Sequence, residues 1–249
     1  MNNSIFKHKQ VFVISPHLDD ALLSMGTFLS QIKEEAEITV VSIFTKGAPA
    51  PYTLSARKFI SDSGCTDAVT LFRKRIQEDQ KALALIRAKH IYLGIPDALF
   101  RKKEKSNWLG KILPEFNHLY PTYRFHIMKG EMAAADDVVY QIKKELKKRI
   151  PPHAIVISPF GIGEHVDHVI TRMVCEELFS KVVYYVDFPY SLRHNDFGQH
   201  PEDYRAMSTP ADIEEKQLMV NCYASQVNGL FPGGIVPAHK EVLFVPDKI

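Results

Sequence analysis

Val11-Phe12-Val13-Ile14-Ser15-Pro16-His17-Leu18-Asp19-Asp20 is the stretch on which the fold turns. Val11–Ser15 is a short β-rich run between polar flanks, and Ala21 to Ile32 follows with apolar residues at helical spacing. A fully buried strand feeding a helix through a tight polar turn fits this order. The turn carries no glycine-rich phosphate loop. It carries His-x-Asp-Asp, three polar groups at the end of a strand that otherwise has every reason to be buried.

Outward from this unit the chain keeps alternating. Glu37–Thr45 reads as a second buried strand, and its near-continuous hydrophobicity fits a parallel sheet covered on both faces. Phe72 to Arg87 has helical spacing with Arg, Lys, Gln and Glu on one side, and His90–Gly94 reads as a further strand. Asp136–Arg149 is a helix closed by Pro151-Pro152, and Ala154–Ser158 is the next strand. The loop Pro159–Glu164 leads into a helix from Val166 to Phe179. Val182–Val186 is another strand, Asp212 to Tyr223 a last helix, and Glu241–Val245 a terminal strand after a Gly/Pro-rich passage. Alternation of this kind implies right-handed βαβ units: an α/β, Rossmann-like sandwich with a mostly parallel central sheet and its site at the C-terminal ends of the strands. Residues 101–135 are the least regular part and read as a lid or insertion rather than a second domain, so 1–249 is expected to form one domain.

The bulk properties narrow the function classes. Lys and Arg number 31 against 29 Asp and Glu, a net charge of +2 that does not call for nucleic acid or an anionic membrane as partner. The basic clusters Arg101–Lys105 and Lys143–Arg149 are interrupted by Glu and read as solvated surface. The N-terminus MNNSIFKHKQ has no apolar signal core, and no apolar stretch is long enough to span a bilayer. Three widely spaced cysteines, Cys65, Cys175 and Cys222, argue against a disulfide framework or a Cys-x-x-Cys zinc site. A reducing cytoplasm is the expected location, and homo-oligomerisation is left open.

A second polar turn completes the chemistry. The strand Ala154–Ser158 is followed by Gly161-Ile162-Gly163 and then His165-Val166-Asp167-His168. Alone, either cluster is an ordinary helix-start pattern, in which Asp caps the helix and favours its dipole. Two of them, each after a buried strand of one parallel sheet, can converge. Two imidazoles and a carboxylate with an open fourth position is a usual set for catalytic zinc, one ion per chain. His17 and Asp20 are three residues apart and can point the same way from a first helical turn; His168 completes the group. Asp19 and His165 then stand beside the metal without being needed to hold it. Asp19 suits the general base that later returns a proton as acid, and a protonated His165 suits the stabiliser of a developing oxyanion. Asp167 can fix one imidazole tautomer from behind. The other histidines, at 8, 90, 118, 126, 153, 194, 200 and 239, lack partners at ligand spacing.

These residues resemble the PIG-L/LmbE-like family of zinc-dependent N-acetylglucosaminyl deacetylases. The family's opening motif is matched by Pro16-His17-Leu18-Asp19-Asp20 with Ser24-Met25-Gly26, and its second by His165-Val166-Asp167-His168. Its Arg-x-x-Glu helix is matched by Arg75-Ile76-Gln77-Glu78, and its Leu-Gly strand end with a nearby acid by Leu93-Gly94 and Asp97. The resemblance implies zinc on His17, Asp20 and His168, Asp19 as base, His165 as carbonyl-polarising group, and Arg75 and Asp97 at a sugar pocket. Read from the residues alone, Arg75 can equally pair with Glu78 or Asp79. Asp187-Phe188-Pro189-Tyr190, Lys216 and Tyr223-Ala224-Ser225-Gln226 are similar to stretches of one branch of the family, although the last can simply end a helix. Some members carry a mobile tyrosine two residues before the second motif; here that position is Gly163, and Tyr190 is the candidate stand-in.

The expected activity is therefore hydrolytic removal of an N-acetyl group from an N-acetylglucosaminyl-type small-molecule conjugate. Trp108, Tyr120, Tyr123 and Phe231 are candidate pocket walls. The rival readings are a metal-dependent phosphoesterase, for which two metals are expected, and a sugar-binding module on the same fold without chemistry, in which Asp19 and His165 would have no task.

Overall fold

A computed structural model describes residues 3–105, 108–193 and 202–248. His194 and His200 fall outside these described residues. The strands Gln10–Ser15 (β1), Glu37–Lys46 (β2), Lys89–Pro96 (β3), Ile155–Pro159 (β4) and Val182–Tyr185 (β5) run parallel. Tyr204–Pro210 (β6) and Lys240–Pro246 (β7) complete a seven-stranded sheet in the order β3-β2-β1-β4-β5-β7-β6. β7 runs antiparallel to both β5 and β6. The mostly parallel α/β sandwich is as expected, with an antiparallel pair added at one edge.

The helices are Asp20–Ile32 (α1), Leu54–Asp62 (α2), Ala68–Leu85 (α3), Tyr123–His126 (α4), Val138–Arg149 (α5), Val166–Leu178 (α6), Ile213–Asn221 (α7) and Val227–Leu230 (α8). They cover both sheet faces, giving one core around Phe44, Phe100 and Ile142 and another around Val13, Phe28 and Tyr185. Burial on both faces explains the near-continuous hydrophobicity of β2 and the buried runs of β1 and β4. No helix among the described residues is long and apolar enough to cross a membrane.

Besides the one-turn helices α4 and α8, two elements are not legible in the sequence. The helix α2 buries only Ala56 and Ile60, so its apolar stripe is too thin to register as periodicity. The strand β6 is an edge strand with a largely exposed burial pattern, held by its ladder to β7 rather than by a hydrophobic face. Segment 101–135 consists of short turns, with an isolated bridge between Lys102 and His118. Arg101 departs from its expected solvated place: its side chain is only 3% exposed.

The helix α1 is broken, and the break explains two motifs. Met25 has non-helical φ/ψ. The Thr27 amide, which a regular helix would direct to residue 23, instead donates to Glu241 at 3.1 Å, and the Phe28 amide donates to it at 2.7 Å. Beside the break, the carbonyls of Leu22 and Leu23 accept from Lys216 Nζ at 2.8 and 3.0 Å. Lys216 and Glu241 are also ion-paired, and both are buried. A Cβ on Gly26 would lie 2.7 Å from Met219 Sδ, so glycine permits α7 to approach the break. Ser24 Oγ accepts the Phe188 amide at 3.1 Å and ties the break to the loop after β5.

Candidate metal centre and active site

In the sheet, β1 lies between β2 and β4, so the crossovers leave in opposite directions at the β1/β4 boundary. That is the switch point at which open α/β sheets leave a crevice beyond the strand ends. The two polar turns meet there. His17, Asp20 and His168 each offer a ligand atom within 4.8 Å of the others, and all three are buried. The imidazoles of His17, His165 and His168 form a triangle with centroids 4.8, 5.2 and 5.3 Å apart.

The donor set fits a metal ion, and the tautomers carry the argument. His168 Nδ1 is 2.6 Å from Asp187 Oδ1, which leaves Nε2 facing the centre, buried and without a hydrogen bond. Asp187 is itself fixed by the amides of Gly161 and Ile162 at 2.7 and 3.0 Å. His17 Nε2 is 3.1 Å from Asp167 Oδ2, which leaves Nδ1 facing Asp20 Oδ2 at 3.0 Å. A ring nitrogen held by a carboxylate behind it, with the other aimed at a common point, is the usual dress of a metal-binding histidine. A second group, His17, His165 and Asp167, also lies within reach of one ion. In that second group Asp167 is already engaged by Arg101 at 2.6 Å and by the Ala98 amide at 3.0 Å.

The electrostatics follow the same division. Burial pushes the Asp20 carboxyl up, but His168 and His17 overcome it and hold Asp20 well below the usual carboxylate range. Burial likewise opposes a charged His168, yet Asp20 and Asp187 raise it to about 9. His165 is the opposite case. Burial and the neighbouring His17 press it well below the ordinary histidine value, and its Nδ1 accepts the Asp167 amide at 3.2 Å. With Nδ1 so occupied, Nε2 is the ring nitrogen left for the cleft that His165 lines.

Asp19 stands outside the ligand group. Its Oδ1 lies 3.0 Å from Arg75 Nη2, and both side chains are buried. Arg75 thus pairs across the cleft instead of with its own helix. Its motif companion Glu78 receives the Ser225 amide and hydroxyl at 2.9 and 2.6 Å. Asp79 accepts from the hydroxyls of Tyr223 and Tyr92, both at 2.8 Å. The Tyr223–Gln226 run therefore does more than end α7. Asp97 bonds the Leu99 amide at 2.8 Å and approaches His17 Nε2 to 3.6 Å. Burial, with the nearby Asp167 charge adding to it, raises the Asp97 carboxyl.

These groups line a cavity of about 140 Å³ walled by Leu23, Phe59, Leu99, Tyr123, Tyr190 and Leu230. Of the four aromatic wall candidates, Tyr123 lines it. Tyr120 is buried with its hydroxyl on Asp136 at 2.7 Å, Phe231 packs against Phe188, and Trp108 is 69% exposed. Tyr190 stands edge-on to His168 with centroids 5.5 Å apart. Gly163 has φ +88°, and a Cβ there would lie 2.4 Å from Tyr190 Cδ1. Glycine at 163 makes the room that Tyr190 occupies. A larger cavity of about 600 Å³, lined by Lys9, Lys147, His153 and Lys181, lies at the opposite end of the sheet and holds none of these groups. Asp187 and Arg101 were missed from sequence. The first had only its place in Asp187-Phe188-Pro189-Tyr190 as a signal, and the second was masked by the basic run around it.

A buried His/Asp/His group at the switch point of an α/β sheet, with a spare carboxylate beside it, is the cleft of a metal-dependent hydrolase. The chain belongs to the PIG-L family, described as GlcNAc-PI de-N-acetylase, whose model matches residues 12–179. It is 25% identical over 243 residues to the 2'-N-acetylparomamine deacetylase of Niallia circulans, spanning 90% of this chain and 83% of that protein. Its fold is similar to the zinc-inhibited form of teicoplanin deacetylase, with a TM-score of 0.69, 22% identity and coverage of 94% of this chain and 97% of that one. A deacetylase of the teicoplanin biosynthesis pathway in a bog complex gives a TM-score of 0.67 at 25% identity, covering 94% and 96%.

Proposed function

We propose that this chain is a zinc-dependent hydrolase that removes the N-acetyl group from an N-acetylglucosaminyl-type moiety of a small-molecule conjugate. The observation that carries the reading is the separation of tasks in one cleft. His17 Nδ1, Asp20 Oδ2 and His168 Nε2 face one point, while Asp19, held by Arg75, and His165 line the cleft beside it. His17, Asp20 and His168 would hold the zinc. A zinc ion held there would supply Lewis acidity for the acyl carbonyl and for the attacking water.

The chain's own groups do the rest. Asp19 takes the proton from the attacking water and returns it to the amide nitrogen as the C–N bond breaks, releasing acetate and the free amine. Arg75, at 3.0 Å, fixes the Asp19 carboxylate for both transfers. The Nε2–H of His165 donates to the carbonyl oxygen as it gains negative charge. Tyr190 is placed to help there, and Asp97 and Arg75 anchor the sugar. The 101–135 segment contributes Tyr123 to the wall and shapes which conjugates enter.

The names of the relatives, 2'-N-acetylparomamine deacetylase and teicoplanin deacetylase, support an N-acetylated amino-sugar conjugate as substrate. Three free cysteines agree with a reducing, cytoplasmic setting. The test is acetate release across a panel of N-acetylglucosaminyl conjugates, including N-acetylated aminoglycosides. Turnover should vanish with a chelator and return with zinc at one equivalent per chain. A requirement for two metals, with phosphate-ester hydrolysis and no acetate, would favour the phosphoesterase. Tight sugar binding without turnover would favour the non-catalytic module.

A further inference from the structure

Arg101 sits in a basic run, yet its guanidinium lies between the rings of Phe44 and Tyr120, 4.9 and 5.0 Å from their centroids. Its three nitrogens go to three places. Nη2 meets Asp167 Oδ1 at 2.6 Å, Nε meets Asp136 Oδ2 at 3.0 Å, and Nη1 donates to the Pro96 carbonyl at 3.2 Å. Asp136 also accepts the Tyr120 hydroxyl at 2.7 Å, and the Arg101 carbonyl accepts the Leu119 amide at 3.0 Å. Arg101, at the start of the 101–135 segment, thereby meets Asp136, the residue that follows its end. The carboxylate that this side chain grips is the one that holds His17 Nε2 at 3.1 Å.

We propose that Arg101 is a positioning residue: it clamps the base of the 101–135 segment onto Asp167 and through Asp167 fixes the His17 imidazole for metal binding. The proposal rests on the reading of His17 as a metal ligand. Asp167 has every oxygen committed, Oδ1 to Arg101 and Oδ2 to Ala98 and His17. Without the guanidinium its carboxylate can rotate, and the His17 ring loses the partner that holds Nδ1 toward Asp20. A lysine cannot reproduce the clamp, because its single ammonium lacks the separate Nη1 and Nη2 donors that meet Pro96 and Asp167. Coupling runs both ways by linkage: a metal that orders His17 also orders the segment anchored behind it.

The test uses the full chain with Arg101→Met, Arg101→Lys and, as a control, Ile142→Ala, a buried residue of α5. Zinc affinity is read by competition with a chromophoric chelator, and amide hydrogen exchange across 101–136 is read with and without zinc. Both Arg101 variants should bind zinc roughly 10- to 100-fold more weakly, the usual effect of losing a residue behind a ligand. Zinc should slow exchange at the ends of the segment in the parent chain and not in these variants. The Ile142→Ala chain should lose stability and keep its zinc affinity. Parent-like affinity in the Arg101 variants, or an equal loss in Ile142→Ala, overturns the proposal. If Arg101→Met does not fold, Arg101→Lys, which keeps the charge, decides. Zinc loss in the variants of a chain that releases no acetate would leave the clamp standing and remove the enzymatic reading; acetate release with unchanged zinc affinity would do the reverse.

Discussion

Arg75 and Asp19, from the middle of α3 and the turn after β1, form a buried ion pair of 3.0 Å at the wall of the cleft. Removing Arg75 leaves a buried carboxylate without its counter-charge. Arg75→Met is expected to destabilise the fold by about 3–5 kcal/mol and to lower kcat while zinc content stays near one. Urea denaturation, turnover and metal analysis of the same preparation check this. Unchanged kcat would show that Asp19 does not depend on this partner.

The two adjacent aspartates should separate cleanly. Asp19→Asn is expected to retain zinc and lose turnover by roughly 10²–10⁴-fold, the range of a general acid–base group. Asp20→Ala should lose both. Parallel zinc titration and acetate assays read the difference, and equal zinc loss in the two would remove the assignment of Asp19 as base.

Gly163 and Tyr190 form a second interdependent pair. Gly163→Ala combines a φ of +88° with a Cβ 2.4 Å from the Tyr190 ring, so Tyr190 must leave its place. The strain is worth about 1–3 kcal/mol. Turnover should fall in Gly163→Ala, and Tyr190→Phe should reproduce the part of the fall that the hydroxyl carries. Turnover by Tyr190→Phe equal to the parent would take Tyr190 out of the reaction.

The break in α1 depends on Lys216. Lys216→Met leaves Glu241 buried and uncompensated and the carbonyls of Leu22 and Leu23 without their donor. A loss of about 3–5 kcal/mol is expected. In a double-mutant cycle, adding Glu241→Gln should recover part of it, because no buried charge then remains. Strict additivity by denaturant titration would show that the two residues act independently.

Asp79 gives the fold a pH dependence of its own. Burial raises its carboxyl to about 7, against the pull of the Tyr92 and Tyr223 hydroxyls. The unfolded chain releases this proton near pH ~4. The group's contribution is therefore complete below that value and is lost as the pH rises through 7, amounting to roughly 2–4 kcal/mol. Asp79→Asn should flatten stability between these limits in urea titrations at a series of pH values. An unchanged slope would assign the dependence to other groups.

What the sequence determined by itself was the repeating unit and the chemistry at its ends. A strand buried on both faces is mostly apolar along its length, and β1, β2 and β4 show it, with only small hydroxyl residues such as Ser15, Ser42 and Ser158 between the apolar ones. A polar cluster at such a strand end cannot be absorbed by the core, so His17-x-Asp19-Asp20 and His165-x-Asp167-His168 were visible as a pair. Which buried groups meet was settled by the packing of distant elements. Arg75 chose Asp19 over its helix neighbours, Asp187 went behind His168, Lys216 entered a broken helix, and Arg101 left a basic run for the interior. Periodicity reports which face of an element is buried. It says nothing about the partner of a buried charge, which is set by the docking of elements far apart in the chain. For the same reason β6, held by backbone bonds to β7 at the sheet's edge, left no hydrophobic trace to read.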